Sequence, residues 1–204
     1  MSVIDKSELR KVTIHELYQM AQSARDSIWA QAGEYGREPK VYLHWSAGHY
    51  GQFFDDYHIQ IDADGSIYVY GELDDVLCHT WRRNTGAVGI GLACCAFATS
   101  NDLGDEPPTT AQIDAMAQAI VAVCDGLWLT IDRNHVMTHA EAADNVDGEW
   151  PHEQYGATTT VERWDLQYLG TDESPYYVAD YDSPYNGGNI LRGKALWWKN
   201  QGIL

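Results

Sequence analysis

The sequence predicts an α/β fold, in the α+β range, with a central mixed β-sheet flanked by helices. Three observations carry that reading. Two stretches of helical periodicity each open with a capping box, several short strand-like runs lie between them, and one of those runs is apolar on both alternating faces.

The elements follow in chain order. Residues 13–30, TIHELYQMAQSARDSIWA, begin with Thr13 and Glu16 in the Thr-x-x-Glu arrangement that satisfies free amides of a first helical turn. Ile14, Leu17, Ala21, Ala24 and Ile28 then share one face, which makes the stretch an amphipathic helix. After the polar AGEYGREPK comes VYLHW, residues 41–45, a short buried strand whose end carries a histidine, His44. Residues 57–70, YHIQIDADGSIYVY, read as a β-hairpin turning at Ala63, Asp64 and Gly65. Residues 87–97, AVGIGLACCAF, read as a central strand covered on both sides, with Gly89 and Gly91 marking close approach to its backbone.

A second capping box, Thr109 with Gln112, opens a helix that repeats apolar residues at Ile113, Met116, Ile120 and Val123 and packs on that sheet. HVMTHAEAAD, residues 135–144, reads as a short strand running into a loop. Residues 144–190, rich in Gly, Pro, Asp, Tyr and Trp, have little periodicity and read as long surface loops. ILRGKALWWK, residues 190–199, reads as a final short helix. The 204 residues suit one domain, 1–204, with its N-terminal helix at 13–30, a core at about 40–166 and a loop-rich C-terminal extension at about 170–204.

Composition excludes several function classes. Hydrophobic residues at 45% and charged residues at 21% belong to a globular chain and not to a disordered one. The net charge of -17 repels phosphate backbones and anionic lipid, so no nucleic acid partner is expected. No apolar run approaches the roughly 20 residues of a membrane span, so no membrane insertion is expected, and MSVIDKSELRKV lacks the hydrophobic segment of a signal peptide. The expectation is a chain that is cytoplasmic as synthesised, and a monomer. Cys78, Cys94, Cys95 and Cys124 include a vicinal pair and no CxxC, so free thiols are expected.

Three polar residues stand where a zinc enzyme needs them: His44 at one strand end, His139 at another, and Asp165 in ERWDL. Catalytic zinc takes three such protein ligands and leaves a fourth position for water. A lone histidine at a strand end is more often a hydrogen-bonded structural residue, and residue types and spacing alone do not choose between the readings. Asp144, Asp147 and His152 are rival ligands in the same interval.

Several ordered pieces resemble the zinc-dependent N-acetylmuramoyl-L-alanine amidases of the type-2 class, shared by phage endolysins and peptidoglycan recognition proteins. They are LHWSAG (43–48), DYHIQIDADGSIY (56–68), CHTWRRNTGAVGIGL (78–92), THAEAAD (138–144) and RWD (163–165), spanning about residues 40–166. The resemblance implies Zn2+ held by His44, His139 and Asp165, with Tyr57 and Arg163 as catalytic residues, the latter where relatives often carry a Lys. It implies a substrate groove lined by His79 and Asn84 and peptidoglycan as the substrate; Trp45 is added as a candidate substrate-binding residue for its aromatic surface. The activity implied is cleavage of the amide between N-acetylmuramic acid and L-alanine, by an endolysin of a phage or prophage that reaches the wall after holin-dependent release. A non-catalytic peptidoglycan receptor of the same fold and a zinc peptidase acting within stem peptides are the alternatives.

Some residues depart from the pattern or stay open. Some relatives carry a glutamate in the central strand where this chain has Gly91, which leaves Tyr57 the larger role. His58 alternates with Tyr57 and is read as a hydrogen-bonded histidine facing the opposite side. His49 is read as solvated. Glu141 either orients a ligand or is a surface charge. Trp45, Trp81, Trp150 and Trp164 either stack on substrate or anchor loops to the core.

Overall fold

In the computed structural model, which describes residues 2–149 and 163–204, a run of five strands lies between the two long helices of the N-terminal two thirds. Its elements are β1 (Val3–Ile4), β2 (Arg10–Val12), α1 (Ile14–Gly33), β3 (Lys40–Trp45), β4 (Phe53–Phe54), β5 (Ile59–Ile61), β6 (Ile67–Val69), β7 (Ala87–Leu92), α2 (Thr110–Leu127), β8 (Val136–Thr138), α3 (His139–Ala143) and α4 (Gly187–Gln201). Six strands form one sheet in the order β2-β6-β5-β7-β3-β8, while β1 and β4 pair separately. The sheet is mixed: β3 runs parallel to β7 and β8, β5 parallel to β7, and β6 antiparallel to both β5 and β2.

Both expected capping boxes are present, Thr13 with Glu16 and Thr109 with Gln112. The hairpin turns where expected, with the Gly65 amide donating to the Asp62 carbonyl at 2.8 Å and Gly65 in the left-handed region at φ 81°. The central strand is buried along its whole length but stops at Leu92, short of the expected residue 97. Cys95 and Phe97 take φ values of 68° and 62°, which cannot continue an extended strand.

One stretch departs from expectation in kind. The segment after β8 is a helix and not a loop, because Thr138 and Glu141 form a third capping box: Thr138 accepts from the Glu141 amide at 3.2 Å and Glu141 accepts from the Thr138 amide at 2.9 Å.

Helices α1 and α2 cover one face of the sheet, where Val41, Leu43, Val88, Ile90, Ile59 and Ile61 join Leu17, Ile28, Met116 and Ile120 in the main core. The final helix, longer than expected, packs on α2, with Leu191 and Ala195 in the same core and the Trp198 indole donating to Asp114 at 2.7 Å. It is also tied to α3 by a buried ion pair: the Arg192 guanidinium donates two hydrogen bonds of 2.8 Å to the Glu141 carboxylate. Glu141 is fully buried, so it is not a surface charge; it caps α3 and anchors α4. All four cysteines are free, three of them buried.

Candidate active site

The strand β3 explains its histidine. It lies between β7 and β8 and every residue in it is buried, so each of its two faces meets a different neighbour. Val41 and Leu43 point into the helix-covered core, whereas Tyr42 and His44 occupy the other face, in register with Gly89 and Gly91 of β7. His44 is completely shielded from solvent. His139, the first residue of α3, comes from the next strand over, and the His44 and His139 rings meet edge to face at 4.7 Å.

The third member arrives from the segment before α4. Asp165 places Oδ2 at 3.1 Å from Nδ1 of His44 and Oδ1 at 3.1 Å from Nδ1 of His139. Donor atoms of the three residues lie within 4.8 Å of one another. Ligand atoms about 2.0–2.2 Å from a tetrahedral zinc stand roughly 3.3 Å apart, and two imidazoles with one carboxylate are an accepted catalytic donor set, so the residues fit the ion.

Electrostatics agrees with that fit. Burial lowers the His44 imidazole to about 4, against the pull of Asp165, so the ring is neutral near pH 7 and its lone pair is free to bind a cation. Burial also works to raise the Asp165 carboxyl, but the neighbouring imidazoles of His139 and His44 overcome it and hold the group below the usual carboxylate range.

The rival ligands are engaged elsewhere. Asp144 accepts a hydrogen bond from the Tyr181 hydroxyl, and Asp147 pairs with Arg83 at 2.8 Å and Lys40 at 3.3 Å. His152, like Trp150, lies outside the described residues.

A cleft of about 620 Å3 opens over His139 and Asp165, with Trp45, Tyr57, His79, Asn84 and Arg163 on its walls. The structure therefore brings all eight expected site residues together, His44 beneath the floor and the others along the surface. Trp45 is also an anchor, packed edge to face on Trp164 at 4.9 Å. Asn84 uses its side-chain oxygen to accept from the Thr80 amide at 2.7 Å.

Two glycines of β7 seat two of these rings. A Cβ on Gly91 would meet the Tyr57 ring at 3.0–3.3 Å, and one on Gly89 would meet the His79 ring at 2.6 Å. Gly91 thus gives room to Tyr57 where some relatives carry a glutamate. Burial, with the charges of Asp165 and Asp56, pushes the Tyr57 phenol well up, so it stays protonated and keeps a proton to donate.

His58 departs from the alternation argument, because β5 starts only at Ile59. Its ring lies 5.5 Å from that of His79, on the same side of the sheet as the site; Nδ1 accepts from the Gly89 amide at 3.0 Å, so Nε2–H donates to the Asp75 carbonyl at 2.8 Å. It is a hydrogen-bonded histidine, as expected, with no nitrogen left for a metal. His49 is half-exposed and pairs with Glu106 outside the cleft.

Sequence reasoning missed Thr80, buried beside His44, and the cleft residues Asp56 and Arg82. Arg82 lies in the left-handed region at φ 62°, a feature of the 80–83 turn with no one-residue signal in the sequence.

Comparison with known proteins supplies the family. The profile described as N-acetylmuramoyl-L-alanine amidase matches residues 5–153, well over half of the chain. The chain belongs to this amidase family. No curated protein matches significantly. Among solved structures, the endolysin N-acetylmuramoyl-L-alanine amidase LysCS of Clostridium intestinale URNW is similar at 18% identity over 52% of this chain and 71% of that one, with a TM-score of 0.39. The amidase LysC of the same organism gives 17% identity over 58% and 78%, TM-score 0.40, and the peptidoglycan recognition protein PGRP-Hd of Alvinella pompejana 16% over 55% and 84%, TM-score 0.37. These likenesses are remote. In this amidase the profile match ends before Asp165 and α4, both of which the fold returns to the matched core.

Proposed function

We propose that the chain is a zinc-dependent peptidoglycan hydrolase that cleaves the amide joining the lactyl group of N-acetylmuramic acid to L-alanine of the stem peptide. The observation that carries this reading, beyond family membership, is the convergence of His44 and His139 on Asp165 at the floor of a cleft. Zinc bound there supplies Lewis-acid activation of water and of the amide carbonyl.

The chain's own groups do the remaining work. The protonated Tyr57 phenol, beside His44 at 5.2 Å between ring centroids, donates to the carbonyl oxygen as it gains negative charge, and Arg163 adds a cation on the same cleft wall. Trp45, His79 and Asn84 form the surface on which the glycopeptide lies. With Gly91 in β7, the set supplies donors and no strand carboxylate. Residues 1–204 act as one amidase domain in this reading, supported by the burial of Arg192 from α4 against Glu141. The setting we assign is that of a phage or prophage endolysin; co-expression with a holin tests it by host lysis.

The decisive experiment incubates zinc-loaded chain with murein sacculi. New L-alanine amino termini that vanish with a chelator are expected. Intact sacculi overturn hydrolysis in favour of a receptor, and new termini elsewhere in the peptide point to a peptidase. His44→Ala lowers zinc content well below one per chain if the ligand assignment holds.

A further inference from the structure

The hydroxyl of Thr80 stands between two buried imidazoles. Its Oγ1 lies 3.3 Å from Nε2 of His44 and 2.9 Å from Nδ1 of His79. A threonine hydroxyl has one proton to give and two lone pairs; among the described residues these two rings are its only partners, so its own buried proton is satisfied only when Thr80 donates to one ring and accepts from the other. Two wirings satisfy that rule, and they run in opposite directions.

The direction rests on the reading of His44 as a metal ligand. Its Nδ1 faces Asp165, so a ligating His44 keeps the lone pair there and carries its ring proton on Nε2. That proton is donated to Thr80, Thr80 donates its own to Nδ1 of His79, and the His79 ring proton is left on Nε2. This last nitrogen is buried, has no hydrogen-bond partner among the described residues, and belongs to a ring that lines the cleft. With the opposite wiring His44 carries its proton on Nδ1, toward Asp165, and has no lone pair for a cation there.

Thr80 is fixed by its own backbone. It is buried at 1% exposure, its amide donates to the Asn84 side chain at 2.7 Å, and its carbonyl accepts from the Arg83 amide at 3.0 Å. A β-branched side chain on a backbone fixed at both ends has little rotamer freedom.

We propose that Thr80 is a positioning residue that sets the tautomers of His44 and His79 together, holding Nδ1 of His44 ready for the metal and leaving an N–H of His79 at the cleft wall. Outer partners of this kind are worth about 10–100-fold in metal affinity. Thr80→Val keeps the shape and removes the hydroxyl; Thr80→Ser keeps the hydroxyl.

The test measures zinc affinity by chelator competition on the full chain and histidine tautomers by long-range 15N–1H correlation on the zinc-loaded native protein. Expected are a 10–100-fold weaker affinity for Thr80→Val, a value within roughly threefold of native for Thr80→Ser, and His79 protonated on Nε2. Folded Thr80→Val that binds zinc as tightly as native, or a native His79 protonated on Nδ1, overturns the assignment. Should Thr80→Val fail to fold, the native spectrum and Thr80→Ser decide. A native chain that binds no zinc overturns the metal-centre reading as well, whereas native binding with an indifferent Thr80→Val overturns only the role of Thr80.

Discussion

Gly91→Ala tests whether β7 is shaped around Tyr57. The added Cβ stands 3.0 Å from Cγ, 3.1 Å from Cδ2 and 3.3 Å from Cδ1 of the ring, inside ordinary van der Waals contact, so the ring, only 8% exposed, must shift toward the cleft. Two effects compete. Replacing glycine inside a strand stabilises by about 0.5–1 kcal/mol through lost chain freedom, while forcing a methyl into a packed site costs about 1–3 kcal/mol. The clash wins by about 1 kcal/mol, or a fall in Tm of about 2–4 °C for a chain of this size. Since removing an oxyanion donor outright costs about 100–1,000-fold in rate, a donor displaced by a few tenths of an ångström should cost roughly tenfold. Thermal unfolding followed by circular dichroism and the rate of amino-terminus release from sacculi give the two readouts. Gly91→Glu, which introduces the residue of some relatives, should be worse in both. A Gly91→Ala chain of native stability and rate, or a Gly91→Glu chain that gains activity, refutes the reasoning.

Arg192→Met leaves the buried Glu141 carboxylate with the Thr138 amide at 2.9 Å and, as its one cation among the described residues, Arg133 at 3.4 Å, and should destabilise by about 3 kcal/mol or more in urea unfolding. In the metal-free chain the unfolded His44 takes up a proton at its ordinary 6.5 and the folded one only at about 4, so stability is full above 6.5 and falls as pH drops toward 4. At about 1.4 kcal/mol per pH unit that group alone contributes about 3 kcal/mol, with His58 and His79 shifted the same way; unfolding at a series of pH values in chelator measures it. Asp144→Asn should retain one zinc per chain by elemental analysis, since that carboxylate serves Tyr181.

Much of this architecture could be read from local patterns. Thr13, Glu16, Thr109 and Gln112 announce their helices because capping is a short-range hydrogen-bond exchange that residue types at fixed spacing encode. The same signal at Thr138 and Glu141 was available, but a five-residue helix has no apolar repeat to reinforce it. The site was legible only through the joint order of its motifs, because His44 and Asp165 are 121 residues apart and nothing local links them. Thr80 and the pairing of Glu141 with Arg192 were invisible for a related reason. Each depends on which distant element packs against it, and charge or hydroxyl content alone reads as a solvated surface.

The Arg192 clamp bears on how far this molecule can be trimmed. A minimal module cut where family similarity stops would keep His44 and His139, yet it would forfeit Arg163, Trp164 and Asp165 from the cleft and uncover a buried anion beneath the helix that begins with His139. Engineers shortening the chain, or grafting a wall-anchoring partner onto it, should therefore treat the last helix as scaffold and join new sequence beyond Gln201.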